Sequence, residues 1–267
     1  MYAFDYHRPR TIKEAASLLR KTEDATLIAG GQSLIPALKL RLAKHAALID
    51  LGDLPDLRGI SVDGTNVVIG ALTRHAEVAA SKDVQLSLPV LAKVAGGIGD
   101  RQVRNQGTLG GSLANNDPAA DYPAAVLGLG AAVTTNKRDI PADKFFVGIY
   151  ETALKRGEII TSVSFPMAKR AAYVKFHNPA SRYALVGVFV SETAGNVRVA
   201  VTGAAPCVFR VNAMEKALAS KFAPEAIARV TVPADKLNSD LHASAEYRSH
   251  LITVLAQRAV EAALSGK

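Results

Sequence analysis

Cysteine is nearly absent from this sequence, which contains Cys207 alone among 267 residues. One cysteine excludes an internal disulfide and leaves an iron–sulfur cluster or a thiolate zinc site without ligands. Tryptophan is missing and aromatic residues make up only 6% of the chain, so it lacks the interleaved stacking platform of single-strand nucleic-acid binders. We therefore expect a reducing compartment, no metal site in this chain and no nucleic-acid partner.

Long apolar runs and the usual nucleotide-binding signatures are also missing. No stretch reaches the ~18 consecutive apolar residues of a membrane helix, and residues 1–10 carry charges where a signal peptide has an apolar core. No Gly-x-Gly-x-x-Gly motif follows a strand and no Gly-Lys-Ser/Thr loop occurs, which argues against Rossmann and P-loop folds. We expect a soluble, cytoplasmic protein, with peripheral attachment to the inner face of a membrane only through a complex.

The residue patterns of common catalytic sites are equally scarce. The six histidines show no i, i+4 pair, and no Gly-x-Ser-x-Gly elbow supports a serine triad. The net charge of +8 comes from 32 basic and 24 acidic residues, and the basic residues are scattered without a long run. This balance favours an anionic ligand or an acidic protein partner.

Two glycine segments are the most informative feature that is present: AGGQSL at 29–34 and TLGGSL at 108–113. Glycine tolerates positive φ and allows close approach of the backbone, so such a turn can form a nest of N–H donors around a phosphate. One Gly-Gly turn is usually only a tight connection. Two of them suit a pyrophosphate.

Periodicity and caps predict the surroundings of the first glycine segment. Thr11 and Glu14 form a capping-box pattern for a helix over 11–21. An apolar strand precedes Gly30, and Ser33 can cap a following helix with Pro36 in its first turn. An anion is favoured at such a strand-to-helix junction. Other predicted elements are a strand at 46–51, a hairpin over 60–69 that turns at Asp63-Gly64, and helices at 73–81 and 88–96.

The second glycine segment lies in a polar stretch, 97–121, for which we predict a long functional loop. This loop ends at Asp121, which is expected to cap a helix that carries Pro123. A boundary is predicted at 166–170. The remaining predicted elements are strands at 131–135, 159–165, 173–176, 183–190 and 197–202, and helices at 211–219, 224–229 and 244–264.

Six motifs in this order resemble the FAD-binding medium subunit of molybdenum hydroxylases, as in aerobic carbon monoxide dehydrogenase and the xanthine dehydrogenase group. The resemblance spans essentially the whole chain. The motifs are AGGQSL at 29–34, IGALT at 69–73, QVRNQGTLGGS at 102–112, DPAAD at 117–121, GEII at 157–160 and ASAEYR at 243–248.

The resemblance implies an α+β fold. Its first part would be a two-lobed FAD-binding domain of the vanillyl-alcohol-oxidase type (PCMH-type) at 1–170, with lobes at about 1–57 and 58–170. A C-terminal domain at 171–267 would follow, built from a small antiparallel sheet and helices. It also implies two partners, a small subunit with [2Fe-2S] clusters and a large molybdopterin subunit, assembled as a dimer of heterotrimers. The chain would pass electrons from the partner clusters through FAD to NAD+, a quinone or O2, with no catalytic residue of its own.

The family's site residues carry over by position. Residues 29–33 and 108–112 would hold the FAD pyrophosphate. Asp121 would bind ribityl or ribose hydroxyls; the alternative is a plain helix cap. Lys175 would stabilise reduced flavin; the alternative is a lysine that faces solvent. Tyr183 would screen the isoalloxazine ring; the alternative is a tyrosine in the core. The predicted cofactor-binding set is Ala29, Gly30, Gly31, Gln32, Ser33, Leu34, Thr73, Ile98, Gln102, Thr108, Gly110, Gly111, Ser112, Asp121, Ile160, Lys175 and Tyr183.

Two features depart from the family. Residues 134–139 lack the glycine that often precedes the arginine there, which would shorten a hairpin, and no cysteine-bearing insertion of the 4-hydroxybenzoyl-CoA reductase branch is present. Two other functions stay open. One is a self-sufficient FAD-dependent oxidase of the vanillyl-alcohol-oxidase fold, although the chain after Arg170 is short for a substrate cap. The other is a flavin-free assembly module with purely structural glycine turns.

Overall fold

The structure of the protein is a computed structural model that describes residues 1–266. A parallel sheet with the strand order β1-β3-β2 forms its N-terminal lobe. Thr11 Oγ1 accepts a hydrogen bond from the N–H of Glu14 at 3.1 Å, as the capping pattern predicts. Ala15 and Ala16 on the buried face of the first helix share a core with Ile49. The elements are β1 (Asp5–His7), α1 (Ile12–Lys21), β2 (Ala25–Ile28), α2 (Leu34–Lys39) and β3 (Ala47–Asp50).

A five-stranded antiparallel sheet with the order β4-β5-β10-β6-β7 organises the second lobe. Its apolar face and the helices that cover it enclose the fully buried Leu91, Leu109, Tyr122 and Phe165. The elements are β4 (Ile60–Asp63), β5 (Asn66–Gly70), α3 (His75–Ala80), α4 (Lys82–Ser87), α5 (Pro89–Gly96), α6 (Arg101–Arg104), α7 (Leu109–Asn115), α8 (Tyr122–Leu129), β6 (Ala132–Thr135), β7 (Asp139–Pro141), α9 (Ala142–Phe145), β8 (Phe146–Gly148), β9 (Glu151–Thr152) and β10 (Ile160–Pro166).

An antiparallel meander with the order β11-β12-β13-β14 forms the third sheet. Alternate residues of β12 face two different cores. Val188 and Val190 pack with the long helix α12, whereas Phe189 packs with the second lobe. Burial on both faces explains why this strand is an almost continuous apolar run. The elements are β11 (Arg170–His177), β12 (Ala184–Thr193), β13 (Asn196–Thr202), β14 (Phe209–Arg210), α10 (Asn212–Ser220), α11 (Pro224–Ile227) and α12 (Ala245–Ser265).

The third sheet interlocks with the second lobe at helix α8. A Cβ added to Gly128 would lie 2.4 Å from the Phe189 ring, so the ring occupies the space that a side chain would need. The hydroxyl of Ser191 donates to the Gly128 carbonyl at 2.7 Å. The chain combines a parallel lobe, in which strands and helices alternate, with two antiparallel sheets that helices cover, and this mixed architecture agrees with the predicted α+β class.

Three sequence predictions need correction. The loop expected over 97–121 contains the short helices α6 and α7. Asp100 and Thr108 cap them by accepting from Val103 N–H and Gly111 N–H. Helix α4 was not predicted, because its six residues are too few for a clear period. The first hairpin turns at Gly64 and Thr65, since Asp63 pairs with Asn66.

An ion pair between an exposed arginine and a buried glutamate ties the β6–β7 hairpin to the start of β10. Glu158, whose side chain is 1% exposed, accepts hydrogen bonds from Arg138 Nε at 2.7 Å and Nη2 at 3.0 Å. It also accepts from the N–H of Lys155 at 2.7 Å. The hydrogen bonds from Arg138 lower the pKa of Glu158 to about 2. The motif at 157–160 therefore holds this hairpin in place.

We predict that Glu158→Gln reduces stability at neutral pH and flattens its acid dependence. The pKa of Glu158 lies below its ordinary 4.5 in the folded protein, so its contribution is complete above about pH 4.5 and disappears as the pH falls toward 2. Urea unfolding of wild type and variant between pH 7 and pH 3 measures this difference. Glu261→Gln, at an exposed position on α12, is the control; equal pH slopes for E158Q and wild type would contradict the prediction.

Candidate functional site

The structure brings the two glycine segments together. A Cβ added to Gly30 would lie 2.1 Å from the carbonyl oxygen of Gln106, and one added to Gly111 would lie 3.8 Å from the Cβ of Ala29. Gly31 adopts a positive φ of 69° between β2 and α2. The absence of side chains at these positions lets the two backbones approach each other closely.

The two segments differ in the donors they offer. In the described part of the chain, the backbone N–H groups of Gly30, Gly31, Gln32 and Ser33 find no protein acceptor. Because consecutive backbone N–H groups without a protein acceptor can form an anion-binding nest, this run is a candidate ligand site. It is also accessible, with Gln32 and Ser33 exposed.

The donors of the second segment are already engaged. Leu109 N–H donates to the Thr73 carbonyl at 3.1 Å and Gly110 N–H to the Ala71 carbonyl at 2.8 Å. Gly111 N–H donates to Thr108 Oγ1 at 3.2 Å, and Ser112 N–H to the Thr108 carbonyl at 3.0 Å. This segment is therefore a poor nest, and what it contributes is the lack of a side chain at Gly111, which faces Ala29 of the first segment.

Ser33 does not act as the predicted cap. Its backbone is already helical, with φ −103° and ψ −48°, and its side chain accepts no hydrogen bond from α2. Pro36 does lie in the first turn of α2, as predicted. The hydroxyl of Ser33 is consequently available beside the free N–H groups.

Asp121 and Lys175 form a buried ion pair. Lys175 Nζ lies 2.8 Å from Asp121 Oδ2, and their side chains are 5% and 7% exposed. The phenol of Tyr173 donates to Asp121 Oδ1 at 2.5 Å, and Lys175 Nζ also donates to the Gly97 carbonyl at 3.1 Å. Both simpler interpretations are wrong: Asp121 makes no side-chain cap, and Lys175 does not face solvent.

Burial dominates the electrostatics of this cluster. It raises the pKa of Asp121, while the charge and hydrogen bond of Lys175 and the hydrogen bond of Tyr173 act in the opposite direction. Burial and the neighbouring Asp121 raise the pKa of Tyr173. Because Lys175 is paired, its charge reaches any bound group as part of a Lys–Asp dipole, not as the isolated cation expected from the sequence.

The remaining predicted residues are spread around these two features. Thr73 is buried, and its hydroxyl donates to the Gly59 carbonyl at 3.0 Å. Ile160 lies in the core, Ile98 is half-buried against it and Gln102 is exposed on α6. Tyr183 is 48% exposed just before β12, so it is not a core tyrosine.

Three residues near the site were not predicted from the sequence. Tyr173 precedes Lys175 by two positions on one strand, and this alternation could have revealed it. His75 and Tyr122 are buried with ring centroids 5.3 Å apart, and neither His75 Nδ1 nor Tyr122 Oη has a partner. Burial lowers the pKa of His75 to about 4, helped by the charge of Arg104. Nothing in the sequence around His75 signals this setting.

Two classes of feature are not found between residues 1 and 266. No group of three or more His, Cys, Asp or Glu side chains is arranged to hold a metal ion. No helix there combines the length and apolarity needed to cross a membrane.

Family comparisons define the class of this protein. Residues 2–168 match the FAD-binding domain of the molybdopterin dehydrogenases, and residues 171–263 match the carbon monoxide dehydrogenase flavoprotein C-terminal domain. The chain belongs to the FAD-binding medium subunits of the molybdenum hydroxylases, oxidoreductases of several subunits, as the sequence motifs indicated.

Individual relatives make the comparison specific. The carbon monoxide dehydrogenase medium chain of Hydrogenophaga pseudoflava is 36% identical, over 97% of this chain and 96% of that one. The nicotine 6-hydroxylase medium subunit of Paenarthrobacter nicotinovorans is 38% identical over the same shares. Among solved structures, quinoline 2-oxidoreductase of Pseudomonas putida 86 superimposes with a TM-score of 0.89 at 29% identity, covering 99% of this chain and 98% of that one.

We predict that Lys175→Met costs roughly 3–5 kcal/mol of stability, because it leaves Asp121 buried without its partner. The double variant Lys175→Met/Asp121→Asn should recover much of this loss, since no uncompensated charge remains. Chemical denaturation measures both. Arg8→Ala breaks the exposed Arg8–Asp53 pair and should change stability little. A single variant as stable as the double one would contradict the prediction.

Proposed function

We propose that this chain holds the pyrophosphate of FAD in a glycine cradle, defined as residues 30–33 together with Gly111. Four consecutive backbone N–H groups that find no acceptor among residues 1–266 carry the proposal, because such a run can bind an anion as a nest. The Ser33 hydroxyl adds a donor, and the lack of a side chain at Gly111 would let the phosphate approach the backbone where the two segments face each other. The residues present therefore fit the cofactor of the family.

The Asp121–Lys175–Tyr173 cluster would face the ribityl and ring end of the flavin. Each oxygen of Asp121 already accepts one hydrogen bond, and a carboxylate oxygen can accept another from a ribityl hydroxyl. Lys175 would favour negative charge at the ring only weakly, because Asp121 offsets its charge. The half-exposed Tyr183 would screen one face of the ring from water.

When bound, FAD supplies chemistry that can link one-electron carriers to a two-electron acceptor, while the protein supplies position and electrostatics. We therefore assign this chain the electron-transfer role between partner [2Fe-2S] clusters and an external acceptor, which is NAD+, a quinone or O2. The buried Asp121–Lys175 pair and the cradle orient the cofactor and exclude water. No side chain of this protein needs to act as a general acid or base.

We also propose the assembly and the domain division expected from the sequence. The partners are a small [2Fe-2S] subunit and a large molybdopterin subunit, in a cytoplasmic dimer of heterotrimers. Domains at 1–170 and 171–267 agree with the matched ranges and with the separate third sheet. The single cysteine supports clusters in another chain.

Absorption spectra of the full chain, purified alone and with its partners, test the proposed function. We expect flavin bands, no substrate turnover by the chain alone and co-purification with a cluster protein and a molybdenum protein. Turnover by the isolated chain would instead support a self-sufficient oxidase. Colourless protein that rejects added FAD, alone and in the complex, would support an assembly module.

We predict that Gly111→Ala leaves the fold intact and weakens FAD binding at least tenfold. The new methyl group would lie 2.8 Å from the Thr108 hydroxyl, which must shift slightly, and 3.8 Å from the Cβ of Ala29, so it would narrow the gap between the two segments. FAD titration of the apoprotein, with far-UV circular dichroism as the check on folding, measures the effect. Gly96→Ala, also helical and with only ordinary contact at 3.8 Å to Ala79, is the matched control. Wild-type affinity in G111A would contradict the cradle.

Gly110 is unsuitable for the same test. A Cβ there would lie 2.6 Å from the Cβ of Ala71 and 2.9 Å from its carbonyl oxygen. Substitution at Gly110 would therefore disturb the packing of α7 on β5, and a loss of flavin would not distinguish binding from folding.

A further inference from the structure

The loop that carries Asp121 is held by the third sheet as well as by its own turn. Within the loop, Asp117 Oδ1 accepts from Ala119 N–H at 2.8 Å, and Ala120 N–H donates to the Asp117 carbonyl at 3.0 Å. From outside, the Thr202 hydroxyl lies 2.7 Å from the Ala120 carbonyl oxygen and 3.0 Å from that of Pro118. The Thr202 hydroxyl thus hydrogen-bonds the backbone one residue before Asp121.

Gly203 adds a second contact from the same end of β13. Its N–H donates to the Pro118 carbonyl at 2.8 Å. Its φ of 80° and the carbonyl oxygen of Ala184, which would lie 2.4 Å from an added Cβ, make glycine necessary here. The positive φ of Gly203 thus points its N–H, at the end of β13, toward the loop that carries Asp121.

Arg248 fixes Gly203 in turn. This arginine, 3% exposed on α12, donates through Nη1 to the Gly203 carbonyl at 2.9 Å and to the Leu185 carbonyl at 2.6 Å. Nη2 pairs with Asp240 at 2.7 Å. The motif at 243–248, which no proposed cofactor contact explains, therefore anchors the turn that contacts the Asp121 loop.

We infer that Thr202 is a positioning residue for the flavin site: its hydroxyl sets the backbone that presents Asp121, and Arg248 holds the strand end from which Thr202 acts. The inference rests on the proposed function, since it takes Asp121 to face the cofactor. Thr202 is 1% exposed and lies on the third sheet, so it acts only through the Pro118 and Ala120 carbonyls. Tyr173 and Lys175, on β11 of the same sheet, hold the carboxylate itself.

Replacing the hydroxyl without changing the shape of the side chain tests this role. Thr202→Val keeps the β-branch and removes the donor, whereas Thr202→Ser keeps the donor. Thr193→Val is the matched control, because Thr193 bonds Asn196 at the far end of the β12–β13 hairpin. Each full-length apoprotein is titrated with FAD, and the visible circular dichroism of the bound flavin is recorded.

We expect T202V to bind FAD at least tenfold more weakly than wild type and to change the visible dichroism, with T202S and T193V within about twofold of wild type. In an Asp121→Asn background, T202V should have no additional effect. If T202V is not obtained folded, Thr202→Ala takes its place in the same comparison.

Two results would overturn the inference. One is a lowered melting temperature of T202V with wild-type FAD affinity and dichroism, which would mean a purely structural role. The other is additive losses from T202V and Asp121→Asn, which would show that Thr202 does not act through Asp121. Failure of the wild-type protein to bind FAD both alone and in the complex would refute the proposed function, and the inference with it.

Discussion

The buried Lys175–Asp121 pair sets the geometry on which the rest of the site depends. An ammonium and a carboxylate removed from water are tolerated only in contact, so β11 and the start of α8 must keep a fixed separation. Two other contacts between the third sheet and the second lobe are consistent with that separation. Phe189 fills the space beside Gly128, and the Thr202 hydroxyl hydrogen-bonds the loop before Asp121. The pair is thus a constraint on architecture as much as a feature of a binding site.

The two glycine segments look alike in sequence and differ in use. The N–H groups of residues 30–33 in the first segment find no acceptor in the described part of the chain. Those of the second segment donate to the carbonyls of Ala71 and Thr73 and to Thr108, its own helix cap. The reason is position. The second segment crosses the end of β5, where carbonyl oxygens need donors. The first lies between a strand and a helix, and within residues 1–266 no carbonyl accepts from the N–H groups of residues 30–33.

The sequence predicted those elements whose formation depends on nearby residues, through caps, apolar periodicity and turn residues. Helix α1 follows from its cap and period, and the meander of the third sheet from its apolar runs and turn residues. Helices α6 and α7 have only four and seven residues, and α7 contains two glycines, so neither is long enough for an apolar period to identify it. The partners of Asp121 could not be deduced either, because Tyr173 and Lys175 are more than fifty positions away and only the tertiary fold joins them.

The interlock of Gly128 and Phe189 has a consequence for how this sequence can vary. The Phe189 ring on β12 occupies the volume that a side chain at Gly128 on α8 would need, so the combined size of the two residues is fixed. A larger residue at 128 is compatible with the fold only together with a smaller one at 189. The contact between α8 and β12 therefore tolerates a paired exchange at these two positions better than a change at either one alone.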